Sequence, residues 1–70
     1  MKCKILIGFY NAATGETVYI AENIAAVVRA TGRSMSLYRS VQIAVNKAIS
    51  DGTTFIFNDV KCYVQLVKEK

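Results

Sequence analysis

Apolar and polar positions alternate near both ends of the chain and recur every three to four residues in its middle, a pattern that predicts strands flanking helices. From Lys2 to Tyr10 the alternate residues Cys3, Ile5, Ile7 and Phe9 share one strand face, expected to look inward. Asn11-Ala12-Ala13-Thr14-Gly15 supplies turn chemistry, and the β-forming run from Glu16 to Ile20 completes a predicted β-hairpin. The period then lengthens. Ile24, Val27, Val28 and Thr31 line one side of a helix over residues 22–31, closed by Gly32 as a left-handed cap. Ser34 or Ser36 is placed to cap a second helix, because a hydroxyl there accepts a bond from a first-turn N–H that lacks a partner within the helix. The core stripe of this helix is Leu37, Val41, Ala44, Val45 and Ala48, and Asp51-Gly52 stops it after Ser50. Alternation returns in Thr53 to Phe57 and in Val60 to Val67, joined by Asn58-Asp59, two residues that tolerate positive φ. Val60, Cys62, Val64 and Leu66 form the inward set of the last strand. The expected fold is α+β, a single domain over residues 1–70: β-hairpin, two helices in a helix-turn-helix-like arrangement, β-hairpin, with the helices on one face of a small antiparallel sheet.

Length limits what such a fold can hide. A chain of 70 residues buries only about 60% of the surface its unfolded form exposes. With 53% hydrophobic residues and no proline, this one is expected to fold, and to carry more apolar surface than its core can cover. A homodimer is the expected outlet for that surface. Cys3 and Cys62 follow neither a metal nor a secreted-scaffold spacing, and both are expected to be buried and reduced. The short run Ile5-Leu6-Ile7 after Lys2 and Lys4 does not read as a signal peptide, which points to a cytoplasmic protein. No stretch approaches the ~20 apolar residues that cross a bilayer.

The residue types argue against catalysis. There is no histidine, so the commonest general base and metal ligand are missing together. Ser34, Ser36, Ser40 and Ser50 have no base at a recognisable spacing, and the acids Glu16, Glu22, Asp51, Asp59 and Glu69 are scattered through turns and element ends. Gly8, Gly15, Gly32 and Gly52 are isolated, which leaves no phosphate loop or dinucleotide fingerprint. A non-enzymatic binding protein without metal or cofactor is expected.

Charge placement suggests what it binds. The net charge is +4, and from Asn23 through Ser50 there is no acid at all, while Arg29, Arg33, Arg39 and Lys47 fall in that stretch. With Leu37 and Val41 turned to the core, a helical wheel sets Arg39, Ile43, Asn46 and Ser50 on the opposite side, flanked by Ser36, Gln42 and Lys47. Arg, Gln and Asn are the side chains that pair bidentately with guanine and adenine edges in the major groove. Arg33 and Ser34, at the turn, are placed for phosphates, and Ile43 for a thymine methyl or a protein surface. Duplex DNA is the favoured partner.

A family resemblance points the same way. Tyr10-Asn11, Thr14-Gly15-Glu16, Asn23-Ile24-Ala25-Ala26 and Gly32-Arg33-Ser34-Met35-Ser36 resemble the small modular DNA-binding domains that accompany phage and intron homing nucleases, over roughly residues 10–50. In that family a strand pair precedes an Ala-containing helix, a Gly-x-Ser turn and a reading helix. The resemblance implies that Arg33, Ser34, Ser36, Arg39 and Ser40 contact DNA, and that a chain with no nuclease segment is a free-standing binder such as a phage-type regulator. The pattern departs at Val28, where such sequences usually have Ala, and at Arg33, where a small apolar residue is usual.

An alternative of another class uses the sheet. Leu6, Tyr10, Tyr19, Ile56, Tyr63 and Val67 are expected on its outer face, an apolar and tyrosine-bearing surface suited to a homodimer or to docking on a larger protein. Stacking of single-stranded bases there ranks below both, because only Lys4, Lys61 and Lys68 lie near the rings.

Overall fold

A computed structural model describes residues 4–69. Four strands, β1 (Lys4–Asn11), β2 (Thr17–Ala21), β3 (Thr54–Phe57) and β4 (Val60–Glu69), form one antiparallel sheet in the order β2-β1-β4-β3. Helices α1 (Ile24–Ala30) and α2 (Tyr38–Asp51) lie between β2 and β3 in the chain, so the mixed α+β class is what the chain adopts. The central strands β1 and β4 pair from Lys4 with Glu69 to Asn11 with Cys62. Their neighbours are shorter: β2 meets only Ile7–Tyr10 of β1, and β3 only Val60–Tyr63 of β4. The central pair therefore overhangs both edge strands at the Lys4 end.

Local chemistry fixes the turns. The Asn11 carboxamide oxygen accepts the N–H groups of Ala13 and Thr14 at 2.8 and 3.2 Å, folding the chain from β1 into β2. Asn58 and Asp59, at φ of 49° and 69°, return β3 into β4. The Asn58 amide also donates to the Ala30 carbonyl at 3.2 Å, tying this turn to the end of α1.

Inside, Ile7, Phe9 and Ala21 with Phe55, Phe57, Cys62 and Val64 meet Ile24, Val27 and Val28 of α1 and Val41, Val45 and Ala48 of α2 in one buried cluster. The Phe9 ring lies 5.5 Å from Phe55 and 5.1 Å from Phe57. Tyr19 stacks on Phe57 at 5.2 Å. Because Tyr19 and Phe57 belong to opposite edge strands, that contact requires the sheet to curl around its aromatic centre. Burial pushes the Cys62 thiol pKa above its ordinary value, since the thiolate would lose its hydration there. Cys3 lies outside the described residues.

Several residues lie elsewhere than their sequence pattern predicts. Ile5 and Leu66 have the inward parity of their strands but are 53% and 57% exposed, because they sit on the overhang where no helix covers them. Tyr19 is not on the outer face: it pairs with Phe9 and stacks inside, and Ile20 takes the outer place. The cause is a register shift in which Val18 is the extra residue between the pairs Phe9–Tyr19 and Tyr10–Thr17. In α2 the stripe is narrower than expected, with Ala44 exposed and Leu37 lying before the helix at 43% exposure. Tyr38 and Ile49 pack against the core instead. Strand β2 starts at Thr17 rather than Glu16, and α1 starts at Ile24 rather than Glu22 because the Asn23 side chain caps it, accepting the Ala26 N–H at 2.9 Å. Thr31 is the C-cap of α1 and not part of its stripe.

Candidate nucleic-acid interface

The basic turn begins where α1 ends. Gly32 has φ 71°, and two backbone bonds close the helix: the Gly32 N–H donates to the Arg29 carbonyl at 3.0 Å and the Arg33 N–H to the Val28 carbonyl at 3.1 Å. This is the paired closure that a left-handed residue makes possible at a helix end. It fixes the backbone from which the Arg33 side chain leaves.

Beyond it, the Ser34 hydroxyl accepts the Ser36 N–H at 3.2 Å and the Ser36 hydroxyl at 3.0 Å, capping a single 3₁₀ turn, Met35–Leu37. Neither serine caps α2 as expected. That helix continues directly from the 3₁₀ turn at Tyr38 and has no side-chain cap of its own. Val41, Val45 and Ala48 anchor α2 to the sheet, which turns the opposite side outward.

All the sequence-predicted contacts on these elements are exposed: Arg29 on α1, Arg33, Ser34 and Ser36 in the turn, and Arg39, Ser40, Gln42, Ile43, Asn46 and Lys47 on α2. Ile43 is 61% exposed, the most open large apolar side chain among the described residues. The ion pair among the described residues lies elsewhere, between Lys4 and Glu22 at 3.0 Å. Arg29, Arg33, Arg39 and Lys47 thus face solvent without a carboxylate partner among the described residues, and no acid is interleaved with them. Glu22 does approach this surface from one side: with Asn23, Ala25, Ala26 and Arg29 it lines an open groove of about 420 Å³ beside Tyr19 and Ile20 of β2.

The outer sheet face carries Leu6, Tyr10, Ile56, Tyr63 and Val67 as expected, with Ile20 added. Tyr10 and Tyr63 are direct cross-strand partners at the centre. The Tyr10 ring folds back over Gly8, where a Cβ would come within 2.5 Å of its hydroxyl and 2.8 Å of the ring. Only glycine leaves the ring that seat. Ile20 could not be placed from alternation alone, since one extra residue in β2 reverses which positions face out.

Comparison with family models, with curated proteins and with solved structures finds no match to this chain. Among the described residues no cluster of His, Cys, Asp and Glu could hold a metal ion, no charged side chain is buried, and no helix is long and apolar enough to cross a membrane.

Proposed function

We propose that the chain is a non-enzymatic nucleic-acid-binding domain that reads duplex DNA with α2 and holds phosphates with the turn before it, in a helix-turn-helix-like manner. The observation that carries this reading is the acid-free basic surface: Arg29, Arg33, Arg39 and Lys47 are exposed on neighbouring elements and unpaired among the described residues. Fourteen residues of α2 extend about 21 Å, and the major groove accepts a helix of this kind. Arg39, Gln42 and Asn46 supply base-edge donors and acceptors, Ile43 an apolar contact for a thymine methyl, and Arg33 a phosphate contact from a fixed backbone.

The test is a mobility shift with random-sequence duplex at low and raised salt. Counterion release makes the salt slope a measure of phosphate contacts. Arg33→Ala is expected to weaken binding evenly across sequences and to lower that slope by about one. Arg39→Ala is expected to cost about 1–3 kcal/mol at a selected site and much less on random duplex. Both variants are expected to melt within about 0.5 kcal/mol of the parent, as neither residue is in the core. A parent that does not shift duplex at low salt, or two variants that bind as it does, would remove this reading.

A second reading, docking on a larger protein, rests on the uncovered outer face, where Tyr63 is 48% exposed beside Ile56. Tyr63→Lys abolishing capture of such a partner while leaving duplex binding unchanged is the result that would favour it.

A further inference from the structure

Among the described residues strand β4 has a neighbour on both sides only over Val60–Tyr63; from Val64 onward its edge away from β1 pairs with none of them, and no turn or loop hydrogen bond among them reaches it. Open strand edges are templates for pairing, and folded proteins guard them with charge, brevity or bulges. Strand β2 is five residues long, shifted in register, and flanked by Glu16 and Glu22. Strand β3 is four residues long between Asp51 and Asp59. The β4 edge has no such guard through Val64, Gln65, Leu66 and Val67, and its first charge is Lys68. Leu66 and its diagonal neighbour Ile5 also form the uncovered apolar patch on the helix side of the sheet.

We infer that this edge pairs with a second copy of itself, β4 against β4, antiparallel about a two-fold axis at Leu66. The edge is self-complementary in that register. Leu66 faces Leu66, Val64 faces Lys68 and Gln65 faces Val67, so no like charges oppose and every side chain keeps its own face of the sheet. Centring the pairing one residue earlier recruits Tyr63, whose edge is already held by Thr54 of β3. Centring it one residue later sets Lys68 against Leu66 and breaks up the apolar cluster. In the Leu66 register the patches of the two copies merge, Leu66 and Ile5 from each.

The size of this contact sets its strength. Residues 64–68 span about 17 Å of strand, and pairing over so short an edge buries less than the roughly 800 Å² per partner of a standard stable interface. The dimer accordingly has a dissociation constant of roughly 10–1000 µM. Its geometry bears on the proposed function. A two-fold axis perpendicular to the sheet leaves both helix layers on the same side, so the two α2 helices face one duplex and a two-fold symmetric site. Joining the outer sheet faces would instead turn the helices away from each other. This consequence rests on the proposed DNA reading; the pairing itself does not.

The experiment is sedimentation of the full chain without DNA from about 10 µM to about 1 mM. The parent is expected to shift from monomer to dimer. Leu66→Lys and Leu66→Glu are each expected to stay monomeric with parent-like melting, and their equimolar mixture to regain the dimer, because residue 66 opposes itself. Amide exchange at Val64, Leu66 and Lys68 of the parent, whose N–H groups point to the open edge, is expected to slow as concentration rises, a readout that needs no variant. A parent monomeric at the top concentration, a Leu66→Lys protein that dimerises as the parent does, a mixture that stays apart, or a dimer without slowed exchange each overturns the inference. Loss of the dimer in Tyr63→Lys with retention in Leu66→Lys does so too, by placing the contact on the outer face. A dimer that binds no duplex leaves this interface standing and ends the reading of α2.

Discussion

Ile5 and Ile7 are two residues apart on the same face of β1, yet Ile7 is buried and Ile5 is exposed. Val64 and Leu66 repeat the contrast on β4. Alternation assigns a side chain to a face of a sheet, but burial needs a second layer, and α1 and α2 cover only part of the face that faces them. The covered half is where the aromatic rings, Cys62 and the helix stripes converge. The overhanging half has the same parity and a similar composition but no described element above it.

The largest break in this comparison is expected from Phe9→Ala. Phe9 is fully buried against Phe55 and Phe57, and emptying its place should cost about 3–5 kcal/mol. A domain of this length has roughly 4–10 kcal/mol in total, so denaturant titration should show a protein at the edge of unfolding. Val64→Ala removes two buried methyl carbons and should cost about 2 kcal/mol in the same titration.

The pH dependence of Cys62 sharpens the contrast next. Its folded pKa is raised, so the folded state keeps its proton where the unfolded thiol has ionised. Stability from this group is complete below the ordinary thiol pKa, and it falls as pH rises from there to the raised value, by at most about 1.4 kcal/mol per pH unit. Cys62→Ala should lower the whole curve yet lose that part of the alkaline slope, as measured by urea melts at stepped pH. The smallest effects belong to the overhang. Ile5→Ala and Leu66→Ala, measured on dilute monomer, should each change stability by about 0.5 kcal/mol or less. A loss near that of Val64→Ala would mean that the overhang is covered after all.

The mixed class and the core were legible in the sequence, for reasons these residues show. Ile24, Val27 and Val28 at helical spacing, and Phe55, Phe57, Cys62 and Val64 at strand spacing, each follow from one local period. Gly32 and Asn58-Asp59 could be placed because positive φ restricts residue type. What could not be read depends on partners distant in sequence. The orientation of Tyr19 hinges on a one-residue shift against β1, and the exposure of Leu66 on where α2 stops over the sheet. At the candidate site the exposure of Arg39 and Lys47 was foreseen from helical phase, and that of Arg33 from its place at the glycine turn. The serine caps were misplaced because a 3₁₀ turn precedes α2, and its shorter period moves the start of the helix.

The central ladder joins the two ends of the described chain, Lys4 with Glu69 and Asn11 with Cys62. During synthesis β1 is made well before β4, so β1 has only β2 beside it until β4 emerges. Two short strands alone are marginal in water, and the helices have only half a sheet to pack on. High contact order of this kind delays folding, because the loop between the paired ends must close before the pairing is rewarded. Stalled or truncated chains lacking β4 would therefore present a bare β1 edge carrying Ile5, Leu6, Ile7 and Phe9, which makes such chains prone to aggregation and substrates for chaperones.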